Sequence, residues 1–204
     1  GTGGASISHG LGKAPKIIIH KSLEQSRNWY TITTAVDGSA DYFYLNSDAV
    51  TNNSSVTVPS STLNYFTASA ESNNNGENYI CYAFTDIIGY SKFGTYEANG
   101  NGDGTHVSLE FAPAFILTKR ISSTGGWEIH DLRRPGYNPQ SNRLLPNDST
   151  LEATTNHVDF LSKGFKIRNT YSGMNASLND LYFFAAFAER PSGSMFGIDA
   201  NAQE

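Results

Sequence analysis

Residues 11–21 read LGKAPKIIIHK, and residues 109–119 read LEFAPAFILTK. Leu, Ala, Pro and Lys recur at a separation of 98 (11 to 109, 14 to 112, 15 to 113, 21 to 119) around an apolar, β-branched or aromatic run. A fixed internal period decides an architecture before any single residue does. Trp29 in NWYTI and Trp127 in GWEIH stand at the same separation. YLNSD from Tyr44 resembles LLPND from Leu144 at a separation of 100, and YICYAFTD from Tyr79 resembles YFFAAFAE from Tyr182 at 103. The motifs keep one order, and the drift in spacing falls in stretches where insertions cost little. The chain therefore reads as two homologous units, 1–90 and 97–190, with a joint at 91–96 and a C-terminal arm at 191–204. The glycine-rich segment GYSKFGTYEANGNGDG, residues 89–104, contains that joint. Its aromatics Tyr90, Phe93 and Tyr96 are expected to fix the angle between units.

Each unit reads as strands. IIIHK and FILTK are bounded by turn residues, and turn signals recur every 8–12 residues, among them Asp37-Gly38, Asn75-Gly76, Asn99-Gly100 and Gly125-Gly126. The Thr- and Val-rich run SSVTVPSSTLNYFTAS, from Ser54, belongs to the same pattern, with Pro59 at a strand end or turn. No stretch carries a sustained 3.6-residue apolar stripe. The fold class is all-β: two homologous β-sandwich repeats of jelly-roll or lectin-like type, packed together.

Composition agrees. Ser, Thr, Asn and Gly exceed a third of the 204 residues, and charged residues are only 16%, so the surface is polar through neutral groups. A net charge of −5 without a Lys/Arg run argues against a nucleic-acid partner. No apolar run approaches the ~20 residues that cross a bilayer, so membrane insertion is not expected. GTGGASISHG shows no leader, and a chain opening on Gly1 reads as a fragment or processed product. Cys81, the single cysteine, is expected to be a small buried hydrophobe.

Candidate chemistry is sparse. Asn99, Asn101, Asp103 and Glu110 fit a calcium-loop template, with Asn in place of the leading Asp. Asn-Gly and Asp-Gly steps are equally ordinary hairpin turns, so calcium is the one cofactor considered and none is expected. EIHD at Glu128–Asp131 puts a carboxylate beside an imidazole. The first copy carries Tyr30, Thr31 and Ile32 there, which points to surface variation. His9, His20, His106, His130 and His157 show no metal-site spacing. No nucleophile elbow, P-loop or laminarinase-type acidic motif is present. Catalytic residues: none. The recurring Trp29 and Trp127 suit core packing, and Lys21 and Lys119 suit strand ends that block edge pairing. Asn53, Asn147 and Asn175 open glycan-acceptor triplets of the kind that Asn/Ser richness produces by chance. Tyr42, Tyr44, Tyr137 and Tyr171 lie outside the repeat blocks in Asn- and Ser-rich surroundings. They are the candidate carbohydrate contacts, an aromatic face for the sugar ring beside amides for its hydroxyls.

HGLGKAPKIII, NWY, NYICYAF, GYSKFGTYEANGNGDG, FAPAFILTKR, DFLSKGFKIR and YFFAAFAE together resemble the repeat of a β-rich domain in tail-fibre and other virion structural proteins of marine phages, over about residues 1–190. That resemblance implies virion architecture or host-surface attachment and supplies no catalytic residues. The expectation is a non-enzymatic virion protein of tail-fibre or capsid-fibre type on the particle surface. Its partners would be other virion subunits, further copies in a homo-oligomer with a trimer foremost, and host-surface glycans bound multivalently. A polysaccharide depolymerase and a ligand-free coat or filament subunit are the alternatives. A clefted carboxylate pair with one shifted pKa would favour the first, and a long docked C-terminal arm the second.

Overall fold

The computed structural model describes residues 7–50, 52–53, 64–65, 73–134 and 136–190. The C-terminal arm 191–204, Pro59 and most of the run from Ser54 lie outside the described residues. Every regular element among the described residues is a β-strand, and every pairing is antiparallel. No helix is long and apolar enough to cross a membrane.

The chain divides into two compact units, Gly1–Thr85 and Asp86–Glu204. The first holds β1 (Ile7–Ser8), β2 (Ile17–Ser22), β3 (Tyr30–Thr33), β4 (Asp41–Tyr44), β5 (Asn52–Asn53), β6 (Asn64–Tyr65) and β7 (Tyr79–Phe84). Five of these form a sheet of order β5-β4-β3-β2-β7, and β1 pairs with β6. The second unit holds β8 (Ser91–Asn99), β9 (His106–Ser108), β10 (Pro113–Arg120), β11 (Trp127–Asp131), β12 (Gln140–Arg143), β13 (Ala153–Leu161), β14 (Gly164–Ile167) and β15 (Leu178–Ala188). Here two four-stranded sheets, β11-β10-β15-β8 and β12-β13-β14-β9, supply one core. Ile116, Tyr182, Phe184, Ala186 and Tyr96 come from the first sheet, and Val158, Phe160, Phe165, Ile167 and Val107 from the second. Fully burying each large apolar side chain contributes about 1.5–3 kcal/mol. In β8 the core residues Tyr96 and Ala98 alternate with the exposed Glu97 and Asn99, the period-two signal of a strand over a core, while Ser91 and Phe93 are buried on the opposite face.

The spacings of the sequence reappear as strand register. Ile17 pairs with Thr33 and His20 with Tyr30. Phe115 pairs with Asp131 and Thr118 with Glu128, each residue displaced by 98. Ile17 faces Phe84, and Phe115 faces Phe187, displaced by 98 and 103. Ile7 and Ser8 pair with Tyr65 and Asn64, and Val107 and Ser108 with Phe165 and Gly164, all displaced by 100. Side-chain contacts repeat too. Asn46 Oδ1 accepts the Trp29 amide at 2.8 Å, and Asn147 Oδ1 accepts that of Trp127 at 2.8 Å. The separation there is 101, so the alignment of YLNSD with LLPND slips by one residue. Glu77 in one unit and Asp180 in the other, 103 apart, each accept from an Arg and a Ser, Glu77 from Arg27 and Ser22 and Asp180 from Arg120 and Ser122, although only the acid positions align.

Three expectations change. Lys21 and Lys119 do not guard edges, because β2 and β10 are each flanked on both sides. Lys21 Nζ donates to Arg27 O at 2.6 Å and Lys119 Nζ to Gly125 O at 2.8 Å, so each lysine ties down the loop before its Trp. Lys119 is wholly buried. Residues 91–96 are not a joint but lie within β8, where Tyr96 stacks on Tyr182 at 5.2 Å and Phe93 meets Phe187 at 5.6 Å. Those aromatics serve the second unit's own packing. Cys81 is exposed on β7.

Gly164 is required sterically. It adopts φ +153°, and a Cβ there would stand 2.0 Å from the Val107 carbonyl oxygen. That close approach is what lets β14 lie against β9.

Candidate functional site

Strand β11 is an edge strand, and its alternation points Glu128 and His130 the same way. Their partners on β10 are Thr118 and Ile116, and Ile116 is core. The shared face is therefore the interior. Glu128 is 1% exposed and His130 0%, which corrects the expectation of surface variation. The sequence shows the alternation but not which face is covered, and that choice is made by β12 and β13 opposite.

Those strands supply Gln140, Arg143 and His157, and the loop after β14 supplies Asn169, Tyr171 and Gly173. Arg143 Nη1 donates to Glu128 Oε1 at 2.7 Å, and the guanidinium lies 4.0 Å from the centre of the Tyr171 ring. His157 stands 5.5 Å from the His130 ring and 5.5 Å from Tyr171, which it meets edge-on. Gly173 leaves room for the carboxylate, since a Cβ there would stand 2.2 Å from Glu128 Oε1. Burial pushes the Glu128 carboxyl up to about 7 against the pull of Arg143. Burial lowers His130 to about 3, with His157, Arg143 and Arg134 acting in the same direction. His157 falls to about 4 through burial and Arg143. Both imidazoles are thus neutral at pH 7.

This seam is where the apolar interior turns polar. Glu128 Oε2, both His130 ring nitrogens, Thr118 Oγ1, Gln140 Oε1 and Arg143 Nε have no hydrogen-bond partner among the described residues. A buried unsatisfied polar group costs about 1–3 kcal/mol, so the seam is built at the expense of stability. At its rim Tyr171 is 38% exposed, presenting a phenol backed by a cation.

Of the four candidate tyrosines, Tyr42 and Tyr44 lie in the first unit on one face of β4. They pack 5.8 Å from each other and 5.3 and 6.0 Å from the buried Tyr30. Tyr137 stands 71% exposed on the loop into β12. Tyr171 alone joins the polar seam. Sequence reasoning missed Arg143, His157 and Asn169, which lie 15 to 41 positions from Glu128 (143, 157 and 169 against 128) and carry no local motif.

Three of the four calcium candidates already have side-chain partners. The Asp103 carboxylate is engaged by Lys166 at 2.9 Å and Arg168 at 3.3 Å, which hold its pKa below the usual range. Asn99 Oδ1 accepts from Asn101 N and Asn101 Oδ1 from Asp103 N, so the turn closes on itself. The buried Asn175 braces it, accepting from Asn99 N and Gly100 N and donating to Asn101 O. Glu110 lies beyond β9, at left-handed φ 69°, beside a surface hollow it lines with Gly89 and Lys163. Among the described residues no three His, Cys, Asp or Glu side chains gather as a metal site.

No characterised protein and no solved structure matches the chain. A family model described only as a domain of unknown function, DUF7483, matches residues 1–191. With both repeats inside that match, the chain belongs to the DUF7483 family.

Proposed function

We propose that this chain is a non-enzymatic binding and assembly module of a phage particle, of tail-fibre or capsid-fibre type, exposed on the virion and contacting host-surface glycans. The observation that carries the reading is the Tyr171–Arg143 stack at the rim of the second sandwich. A partly exposed aromatic backed by a guanidinium offers an apolar face for a sugar ring and charged donors for its hydroxyls. The corresponding place in the first unit carries Tyr42 and Tyr44, so one chain presents two aromatic loci. The tail-fibre resemblance of the repeat motifs supports the virion setting. Single sites of this kind are weak, and a homo-oligomer, a trimer foremost, with other virion subunits as neighbours would supply avidity.

One observation favours a depolymerase as the second reading: Glu128 is a carboxyl held near 7, the value a general acid needs. It is buried and bonded to Arg143, which fits a structural carboxyl better than one that meets substrate.

The test is binding of the purified chain to a panel of bacterial surface polysaccharides, in calcium and in EDTA, with release of reducing ends followed. The expected result is binding without cleavage, indifferent to EDTA, and weakened roughly tenfold by Tyr171→Ala. Cleavage would establish the depolymerase. Binding by no polysaccharide, even to the assembled oligomer, would leave a purely structural coat or filament role.

A further inference from the structure

The loop that carries Tyr171 is fastened through one imidazole nitrogen. We propose that His157, acting through Asn169, is the positioning residue of the Tyr171 rim, and that protonating His157 releases this loop. The proposal rests on the reading of that rim as the binding surface, but its structural part can be tested alone.

The Asn169 amide has only one orientation. Its Oδ1 accepts the Tyr171 backbone N–H at 2.7 Å, so the end turned to His157 is Nδ2. That nitrogen donates to the His157 carbonyl at 2.9 Å and meets His157 Nδ1 at 3.0 Å. Nδ1 must then be the acceptor, and the neutral ring carries its proton on Nε2. The rest of the loop hangs on the same clasp. Asn175 Nδ2 donates to Asn169 O at 2.9 Å, and Tyr171 O accepts from Met174 N at 3.0 Å and Asn175 N at 2.8 Å.

A proton on Nδ1 turns an acceptor into a donor facing a donor. Rotating the Asn169 amide would repair that contact but set Nδ2 against the Tyr171 N–H. Either way one bond of the clasp breaks. The surroundings do not welcome the new charge. His130 faces the ring from β11, Arg143 from β12, and Tyr171 and Asn169 from the loop, with Arg134 acting on His130. Glu128, the acid of the seam, is bonded to Arg143 and, held near 7, is already neutral where His157 takes up its proton. The lowered pKa of His157 keeps the clasp closed at neutrality.

The test follows the His157 imidazole and the backbone amides of 169–175 by NMR in the full chain from pH 7.5 to 3.5. Amide exchange is measured alongside, with β10 and β15 as the folded control. The expected result is that His157 titrates well below its ordinary value of 6.5, near 4. The Tyr171 and Asn175 amides should shift and lose protection with the same midpoint. His157→Asn, whose side-chain oxygen keeps an acceptor at the Nδ1 position but cannot titrate, should abolish the transition with the loop closed. Asn169→Ala should open the loop at every pH and weaken polysaccharide binding about tenfold. Loop amides that stay still while His157 titrates, or a loop transition that survives in His157→Asn, would overturn the clasp. Binding unchanged in Asn169→Ala would overturn the positioning role alone. A normal loop transition with no polysaccharide bound would sink the binding reading and leave the clasp standing.

Discussion

The polar seam makes a signed prediction about stability against pH. His130 and His157 are neutral in the folded second unit, lowered to about 3 and about 4, while in the unfolded chain they titrate at 6.5. A depressed imidazole stabilises above pH 6.5, and that contribution is lost as pH falls. From pH 6.5 to 5 the pair costs about 3 kcal/mol by linkage. Glu128 works the other way. Its folded value near 7 lies above the 4.5 of the unfolded chain, so the folded state takes up its proton first as pH falls. Over the same window it returns about 2 kcal/mol, leaving a net loss of about 1 kcal/mol. Glu128→Gln cannot return anything, so its loss over the window should be about 3 kcal/mol. Trp127, wholly buried on β11, reports this unit, and Trp29→Phe silences the other one. Urea unfolding followed by Trp127 fluorescence at pH 6.5, 6.0, 5.5 and 5.0 gives both slopes. The slopes decide, because Glu128→Gln also changes the stability at any single pH by altering the Arg143 bond. A parent that is flat over the window together with an equally flat Glu128→Gln would refute neutral buried imidazoles. A Glu128→Gln slope no steeper than the parent's would refute a carboxyl that protonates near 7.

Further outcomes follow from the packing. Gly164→Ala sets a Cβ against the Val107 carbonyl in a φ that L side chains avoid. It should cost about 3 kcal/mol or more in urea unfolding and detach β9 from β14. Lys119→Met keeps the buried stem but loses the donor to the Arg120 and Gly125 carbonyls. It should destabilise by about 2–4 kcal/mol, and Lys21→Met, at a half-buried lysine, by less. Tyr96→Phe removes a hydroxyl that donates to Met174 O at 2.9 Å inside the core. About 1 kcal/mol lost in the same unfolding assay is the expected result.

Much of this fold was legible because the repeat spacing and the strand register are one quantity. Two strands whose partners are displaced by 98 and 103 residues in sequence must pair in the same register if the units share a fold, and they do. The slip at Asn46 and Asn147 is hidden in the sequence because LLPND offers an Asp under Asp48 that masks the better match. The site was far less legible. Period two tells that Glu128 and His130 share a face but not that the face is covered, and charged residues on an edge strand ordinarily face water. Burial of Lys119 was unreadable for a similar reason: an ammonium needs acceptors, and here they are backbone carbonyls, which every residue carries and no motif advertises. The calcium template counts oxygens without asking what holds them, and Lys166 and Arg168 lie more than 60 positions beyond Asp103 (166 and 168 against 103).

The duplication also serves as an internal control on what is scaffold and what is site. The positions both units keep are anchors: the lysine that ties its loop, the tryptophan with its asparagine acceptor, the acid that takes an arginine and a serine. One group of positions at which they differ lies together. Register aligns Tyr30 with Glu128, Ile32 with His130 and His20 with Thr118. The Ile129–Leu144 bridge, set beside the Thr31–Phe43 pair, aligns Tyr42 with Arg143. One unit fills that place with packed aromatic rings, and the other with an ion pair and two neutral imidazoles. If the place were only core, the polar version would be the costlier way to fill it, because it leaves buried atoms without partners. Replacing Glu128, His130 and Arg143 together with Tyr, Ile and Tyr should therefore leave the second unit folded and raise its urea midpoint. The same replacement should remove binding that depends on Tyr171, which loses the guanidinium behind it. A triple variant that unfolds would show the seam to be a structural necessity. One that is more stable and still binds would show that the rim works without it.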